Sequence, residues 1–296
     1  MVGGLRSADP RSLGPYRLLG RLGAGGMGQV FLGRSAGGRL AAVKVIRPEL
    51  AGEPGFLARF AHDVAAARNV SGLSTALVVD VDLAAPVPWL ATAYVAGPSL
   101  AEAVNGQGPL PPATVLRLAA GLAEGLGAVH AAGVVHRDLK PSNVLLASDG
   151  PRVIDFGISQ AADTSVLTLS GTVTGSPGFM SPEQAEGRAV GPPGDVFSLG
   201  AVLAFAATGE GPFGTGSAPA LLYWLVHQPP DIVRLPGQIR LLVGRCLAKD
   251  PRKRPTTSDL LGELDAVRLA GDWLPASLTG MLGQYAPPRP ASRGQN

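Results

Sequence analysis

The sequence predicts an α+β fold of two lobes, a small N-lobe built on a sheet and a larger, mostly helical C-lobe. Runs typical of strands precede Gly97-Pro98, whereas apolar residues recur at helical spacing after it. The 296 residues suffice for one two-lobed domain or two small ones. We assign residues 15–96 to the N-lobe and 97–270 to the C-lobe. Residues 1–14 are expected to be flexible, and 271–296 to form a C-terminal extension whose end is disordered.

The N-lobe is predicted to contain five strands and one helix. The strands are expected over residues 16–22, 29–33, 40–46, 77–82 and 89–95. A glycine-rich turn separates the first two strands. The helix is expected over about residues 54–69, because apolar side chains including Phe56, Phe60 and Val64 recur there at helical spacing.

The C-lobe is predicted to begin with a long helix over residues 112–131, which is rich in Ala and Leu. A short strand pair is expected around residues 144–146 and 152–154. Further helices are expected over residues 195–208, 218–227, 239–248 and 257–269.

Composition and charge exclude several classes of protein. The net charge is +3 and the pI about 9.3, without a run of Lys and Arg interleaved with aromatic residues, so a nucleic-acid partner is not expected. The single cysteine, Cys246, lies in an apolar helical pattern and fits a core residue in a reducing cytosol. The longest apolar stretch, residues 196–207, is shorter than the roughly 20 residues of a membrane helix. We therefore expect a cytoplasmic protein without a membrane segment in this chain.

Two polar loops in the C-lobe carry the strongest functional signal. The first runs from His136 to Asn143 as His-Arg-Asp-Leu-Lys-Pro-Ser-Asn, and the second, Asp-Phe-Gly, begins at Asp155. Asp138 can accept a proton from a hydroxyl group, and Asn143 and Asp155 offer the hard oxygen ligands that Mg²⁺ prefers. Both loops in this order and at this separation indicate phosphoryl transfer from ATP.

The glycine-rich turn matches the pattern G-x-G-x-x-G-x-V over residues 23–30. A dinucleotide-binding turn shares these glycines, but it requires a following helix and an acid about twenty residues on. Here the following residues are strand-like, and Lys44 stands near that distance. A Walker-type loop is excluded because the sequence contains no Gly-Lys pair. A glycine hairpin can bring backbone N–H groups close to phosphates, although an ordinary hairpin remains an alternative at this point.

The third predicted strand carries a lysine among apolar residues. Strand alternation places Ala42 and Lys44 on one face, so that a small residue is followed by an ammonium group. Lys44 lies between Val43 and Val45, and a lysine in such a strand needs an anionic partner.

Together these segments resemble the signature set of protein kinases, most closely the actinobacterial branch of the bacterial eukaryotic-like serine/threonine kinases. The resemblance runs from about residue 15 to 269 and includes Ser181-Pro182-Glu183, Asp195 and Arg254. It implies the two-lobed protein-kinase fold and transfer of the γ-phosphoryl group of ATP to Ser or Thr hydroxyls of protein substrates. It also implies a structural ion pair between Glu183 and Arg254, and a bracing role for Asp195 beneath the catalytic loop.

The resemblance further implies the residues of the nucleotide site. The residues covering the phosphates would be Gly23, Gly25 and Gly28. The residues enclosing adenine would be Val30, Ala42 and Leu145. Thr92 would be the gatekeeper, and the hinge would be formed by Ala93, Tyr94 and Val95. Lys44 would hold the α- and β-phosphates. Asp138 would be the base, Lys140 would steady the γ-phosphate, and Asn143 and Asp155 would bind Mg²⁺, with Mn²⁺ as an alternative. His136 and Phe156 are expected to pack internally.

One position departs from the family pattern. Where a glutamate on the N-lobe helix usually pairs with the strand lysine, this chain has Asp63. Helical spacing places Asp63 on the face that carries Phe60 and Ala67, so it should point inward. Because aspartate is one methylene shorter, either the helix moves inward or Lys44 bonds Asp155 instead. We predict an inward shift that retains the Lys44–Asp63 pair.

The resemblance also predicts a phosphorylated activation segment. Arg137 precedes the catalytic aspartate, where an arginine commonly pairs with a phosphate on that segment. Thr168, Ser170 and Thr172 are the expected sites of autophosphorylation, for which a homodimer acting in trans is a candidate assembly. Two other classes stay open: a pseudokinase that binds nucleotide as an interaction module, and a small-molecule phosphotransferase of the aminoglycoside type.

Overall fold

The computed structural model describes residues 2–25, 27–70, 72–156, 177–265 and 272–286 of the chain. The N-lobe is a six-stranded antiparallel sheet in the order β1-β2-β3-β4-β6-β5. Its strands are β1 (Ser12–Leu13), β2 (Tyr16–Gly25), β3 (Gly28–Arg34), β4 (Leu40–Ile46), β5 (Val78–Asp82) and β6 (Trp89–Ala93). Its helices are α1 (Pro48–Ala51) and α2 (Phe56–Ala67).

The remaining elements form the C-lobe. Its helices are α3 (Leu100–Gln107), α4 (Pro112–Ala131), α5 (Pro182–Ala185), α6 (Pro192–Thr208), α7 (Ala218–His227), α8 (Gly237–Cys246), α9 (Thr257–Asp265) and α10 (Ala276–Leu282). The hairpin β7 (Val144–Ala147) and β8 (Gly150–Val153) follows the first polar loop. The α+β, two-lobed prediction is confirmed. In the part of the chain that the structure describes, we find no helix long and apolar enough to cross a membrane.

Both faces of the N-lobe sheet carry apolar side chains. On one face Tyr16, Phe31 and Val43 belong to a small core. On the other, Ile46 and Leu90 pack with Phe60 of α2. Helix α2 thus buries the face predicted from its apolar spacing, and this packing sets its position relative to β4.

The C-lobe core is centred on α4 and α6. Helix α6 is buried around most of its circumference, as expected for a helix that is apolar on all sides. A Cβ at Gly200 would lie 2.7 Å from Cβ of Cys246, so only glycine permits α6 and α8 to approach this closely. Cys246 is buried, as predicted, and burial raises the pKa of its thiol to about 12.

The N-terminal residues differ from the expected flexible segment. Ser12–Leu13 pairs with β2, and Gly3 and Arg21 exchange two backbone hydrogen bonds of 2.8 Å. Asp9 accepts a hydrogen bond of 2.7 Å from Nε of Arg21. The reason is that the edge of β2 presents unpaired backbone groups, which the Gly-rich segment can approach closely.

The C-terminal extension also contains structure that composition did not indicate. Leu278 of α10 is 1% exposed and belongs to the C-lobe core. The predicted end at 287–296 lies outside the described residues, as do 266–269 of the helix expected over 257–269. Helix α3 was not predicted either, although Ser99 and Glu102 form a capping box at its start.

Candidate functional site

The glycine-rich turn joins β2 to β3 at one end of the sheet. Gly28 has φ 153°, and a Cβ there would lie 1.7 Å from the carbonyl oxygen of Val45, so glycine is required. Gly23 and Gly25 are exposed, and a Cβ on either would have no described heavy atom within 4 Å. The turn therefore has open space beside it in which a bulky anion could approach the backbone.

The N-lobe residues predicted to surround adenine lie on neighbouring strands of the sheet. In the sheet register, Ala42 lies opposite Thr92, Ala41 lies opposite Ala93, and Val30 lies opposite Lys44. Tyr94 and Val95 follow β6 and are half-buried. From the C-lobe, Leu145 on β7 forms a bridge with Ser99. This connection brings Leu145 close to the end of the chain segment that joins the two lobes.

Lys44 bonds a carboxylate from the other lobe. Its Nζ lies 3.0 Å from Oδ2 of Asp155, and the lysine side chain is 12% exposed. Burial raises the pKa of Asp155, but the nearby Lys44, His136 and Lys140 lower it by a larger amount. The net pKa is therefore below its ordinary value. Asp155 also has φ 59°, an uncommon backbone conformation for a residue other than glycine. The carboxylate is thus held ionised at the junction of the lobes.

Asp138 is held by two side chains of its own loop. Nζ of Lys140 donates to both of its carboxylate oxygens, at 2.7 and 3.0 Å. Nδ2 of Asn143 donates to the backbone oxygen of Asp138 at 2.8 Å and to Oδ2 at 3.1 Å. Because its amide nitrogen is used in this way, Asn143 keeps its amide oxygen as the end that can bind a cation.

A buried aspartate braces this loop from below, as the resemblance implied. Asp195 is 1% exposed and accepts hydrogen bonds of 2.8 Å from the backbone N–H groups of His136 and Arg137. Nε2 of His130 lies 2.7 Å from the same carboxylate. Arg137 has φ 67°, and Gln184 donates to its carbonyl oxygen at 2.7 Å. These bonds stabilise a backbone turn that would otherwise be strained.

His130 and Gln184 were missed by the sequence reasoning. Both stabilise the loop indirectly, one through Asp195 and the other through the carbonyl oxygen of Arg137. A histidine in the last turn of a helix carries no pattern that would identify its partner 65 residues on. Gln184 stands beside the recognised Ser-Pro-Glu, which is the one signal that could have drawn attention to it.

The predicted pair between Lys44 and Asp63 is not formed. Asp63 does point inward, being 8% exposed, but its Oδ2 has no hydrogen-bond partner among the described residues. Burial raises the pKa of Asp63, although Arg137, His62 and Arg59 oppose this shift. Lys44 instead adopts the second arrangement and bonds Asp155. The physical reason is reach: the side chain lacks one methylene, and a competing carboxylate lies nearer to the lysine.

The predicted ion pair between Glu183 and Arg254 is formed and complete. The guanidinium bonds both carboxylate oxygens, at 2.6 and 2.9 Å, and also donates to the carbonyl oxygens of Ala248, Pro193 and Lys249. Both side chains are buried. Burial raises the pKa of Glu183, but Arg254 and other hydrogen-bond donors lower it to a net value below its ordinary range.

The remaining predictions concern packing and the activation segment. Phe156 is 2% exposed within the C-lobe core, and His136 is fully buried, as expected. Gly157 and the predicted phosphorylation sites Thr168, Ser170 and Thr172 lie outside the described residues.

Comparison with known proteins agrees with this geometry. The protein kinase domain family matches residues 16–263. The chain is 52% identical to the probable serine/threonine-protein kinase PkwA of Thermomonospora curvata over 287 residues, which cover 97% of this chain and 39% of that protein. It is 48% identical to the serine/threonine-protein kinase AfsK of Streptomyces coelicolor over 301 residues, covering 98% and 38% of the two chains.

The fold is likewise similar to a solved structure, the kinase domain of Mycobacterium tuberculosis PknI. The TM-score is 0.68 at 24% identity, covering 89% of this chain and 99% of that chain. The chain spans about 39% of the length of the curated relative PkwA. Since the family match covers both lobes and the described residues of both polar loops, the chain belongs to the protein kinase domain family.

Proposed function

We propose that the chain is a serine/threonine protein kinase that transfers the γ-phosphoryl group of ATP to protein hydroxyls. The observation that carries the proposal is the assembly of Lys44, Asp138, Lys140, Asn143 and Asp155 at the junction of the lobes. The names of PkwA and AfsK support it. Lys140, two residues after the base, supports the serine/threonine type.

The residues present fit ATP with a divalent cation. Asn143 and Asp155 provide an amide oxygen and an ionised carboxylate, which are ligands suited to Mg²⁺ and also to Mn²⁺. Gly23 and Gly25 leave space beside their backbone for phosphates. When bound, the cation would neutralise negative charge on the phosphates.

The protein's own groups would then act mainly by positioning and charge. Asp138 would orient the acceptor hydroxyl and take its proton at the carboxylate that Lys140 and Asn143 hold. Lys140 would place positive charge where negative charge develops on the transferred group. Lys44, anchored on β4, would do the same for the α- and β-phosphates.

The two rival classes are less well supported than the kinase. The absence of a Lys44–Asp63 pair is what a pseudokinase would predict, but the contacts among Asp138, Lys140 and Asn143 and the bond from Lys44 to Asp155 support the kinase instead. A small-molecule phosphotransferase would have no need for Ser-Pro-Glu, whose glutamate is held by Arg254.

We place the kinase in the bacterial cytoplasm.

Activity and the identity of the base can be tested together. Purified protein is incubated with labelled ATP, Mg²⁺ and a generic basic protein substrate. Asp138→Asn should lower kcat by about 10²- to 10⁴-fold because the general base is lost, while ATP affinity is largely kept. The matched control is Asp231→Asn on the exposed surface, which should leave kcat unchanged. Wild-type turnover in Asp138→Asn would refute the assignment, and an inactive wild-type protein would favour the pseudokinase.

We also propose autophosphorylation of Thr168, Ser170 or Thr172, with a homodimer as the assembly that performs it in trans. Arg137 belongs to the first polar loop, where its backbone N–H bonds Asp195, and its side chain would pair with the phosphate. Mass spectrometry of protein incubated with Mg-ATP tests the proposal, and a concentration-dependent rate would support transfer between copies. Absence of phosphate between residues 164 and 176 would contradict it.

A further inference from the structure

The segment of residues 272–286, here called the C-terminal clasp, is anchored to the C-lobe by apolar side chains. Leu274 is 5% exposed and Leu278 is 1% exposed, and both belong to the C-lobe core. Met281 and Leu282 pack against the same core. Burial of these side chains makes the clasp an ordered part of the domain surface.

The clasp has polar contacts with two elements of the predicted nucleotide site. Oη of Tyr94, in the hinge, donates to the carbonyl oxygen of Tyr285 at 2.7 Å. Nε1 of Trp273 donates to the carbonyl oxygens of Ala147 and Ser148, at 2.9 and 3.1 Å. Those carbonyls lie at the end of β7, the strand that carries Leu145. The clasp therefore contacts the hinge at one end and the adenine-site hairpin at the other.

Tyr285 interacts with both the hinge and the first turn of α3. It is 8% exposed, and the pKa of its hydroxyl is raised by burial and by the nearby carboxylate of Glu102. Glu102 itself accepts hydrogen bonds of 2.8 Å from the backbone N–H and the hydroxyl of Ser99. Ser99 in turn bridges Leu145. Tyr285 thus contacts the hinge through its carbonyl oxygen and interacts with Glu102 of α3 through its hydroxyl.

We propose that Tyr94 and Tyr285 are positioning residues that fix the hinge backbone for adenine binding. The proposal rests on the proposed kinase function. Tyr94 contributes through its side chain, which ties its own backbone to the clasp. On the N-lobe side the hinge is held by a backbone bond of 2.8 Å from Ala93 to Leu77. The clasp supplies the corresponding restraint from the C-lobe.

The physical advantage of such a restraint is pre-organisation. A backbone that is already held in the binding conformation loses less entropy when a ligand binds, so the ligand binds more tightly. The effect falls on ground-state binding of nucleotide, whereas Asp138 and its partners are not touched. Loss of the restraint should therefore raise KM for ATP and the Kd of ADP without lowering kcat.

The test is Tyr94→Phe, which removes the hydroxyl and keeps the ring. The free energy of one neutral hydrogen bond sets the upper limit of the effect, so we expect a rise of about 2- to 10-fold in the Kd of ADP by calorimetry and in KM for ATP, with kcat within about twofold of wild type. The matched control is Tyr223→Phe: Tyr223 is 56% exposed on α7 and outside the site, so both constants should be unchanged. Thermal unfolding of both variants checks that the fold is retained.

Amide hydrogen exchange of residues 93–97 supplies a readout that does not depend on activity. Faster exchange in Tyr94→Phe than in Tyr223→Phe, together with weaker ADP binding, would support the proposal. Unchanged ADP binding would overturn it, whether or not exchange changes, because the contact would then be structural only. A wild-type protein that does not bind ADP would overturn the kinase function and the inference together, which distinguishes that failure from a failure of the clasp alone.

Discussion

Glu183 and Asp63 are both buried carboxylates, but their surroundings are opposite. Glu183 faces a guanidinium that bonds both of its oxygens and three backbone carbonyls besides. Asp63 has an oxygen without a hydrogen-bond partner among the described residues. The net pKa of Glu183 is lowered, whereas that of Asp63 is raised. The hydrogen bonds from Arg254 stabilise the charge of Glu183. The charge of Asp63 lacks such bonds at Oδ2 and therefore costs free energy.

The difference separates a structural residue from one that we expect to serve function. A buried carboxylate oxygen without a hydrogen-bond partner is unfavourable, so its presence in Asp63 calls for a role outside stability. In the proposed reaction Asp155 binds the cation and releases Lys44, which would bond the α- and β-phosphates and be oriented by a second carboxylate. Asp63 is a buried carboxylate with an oxygen to offer.

Breaking the completed network should have the largest effect on stability. Arg254→Ala would leave Glu183 buried without its partner, which is expected to lower the free energy of unfolding by about 3–5 kcal/mol. Urea denaturation followed by circular dichroism measures the change. Arg252→Ala is the control, because Arg252 is 88% exposed and its pair with Asp250 should contribute little. Equal stability of the two variants would show that the network is not the stabilising feature we describe.

Removing the orphan carboxylate should lower activity. Asp63→Ala is expected to reduce kcat/KM by at least tenfold, about 1.4 kcal/mol of transition-state stabilisation, because Lys44 would lose the carboxylate that orients it toward the phosphates. Asp63→Glu should keep activity close to wild type, since glutamate is the usual residue at this position in the family. Asp231→Ala, on the exposed surface of the C-lobe, is the control in the kinase assay. Full activity of Asp63→Ala would make Asp63 a residue without a role in the reaction.

The same residue should be unfavourable for stability at neutral pH. The raised pKa of Asp63 means that this residue binds a proton more readily in the folded than in the unfolded state. The contribution of Asp63 to stability therefore becomes less favourable as pH rises from 3.8 through the folded pKa. Asp63→Asn removes that cost and should raise the free energy of unfolding at pH 7, with a gain that shrinks as pH falls toward 3.8. Urea denaturation at several pH values in this range measures the change in the free energy of unfolding. The control is Asp231→Asn, at an exposed position. A less stable Asp63→Asn at pH 7 would contradict our account of the buried charge.

The smallest effect is expected at the edge of the N-lobe. Arg21 lowers the pKa of Asp9 to about 2, so this pair contributes stability above pH 3.8 that is lost as pH falls through about 2. Asp9→Asn should slightly destabilise the protein at pH 7 and have no effect below pH 2. Thermal unfolding at the two pH values tests this, with Asp149→Asn, whose side chain is 67% exposed, as control. No destabilisation at pH 7 would show that strand pairing alone holds the N-terminal segment.

Local sequence patterns were sufficient for most elements. The strand over 40–46 and the helices over 112–131 and 218–227 were predicted with the bounds that the structure shows. The inward orientation of Asp63 also followed from helical spacing. Elements whose stability depends on distant partners were missed. Strand β1 depends on the free edge of β2, and α10 depends on the C-lobe surface that buries Leu278.

The sequence by itself determined the family, the residues of the two polar loops and their proposed roles, because those side chains follow one another along short stretches of chain. Only the tertiary structure decided which partner each charge takes. Lys44 had two carboxylates within its predicted reach, and the choice of Asp155 depends on how closely α2 approaches β4. The contact of Tyr94 with Tyr285 joins residues 191 positions apart. Distances of this kind are set by packing in three dimensions, which local patterns of residues do not specify.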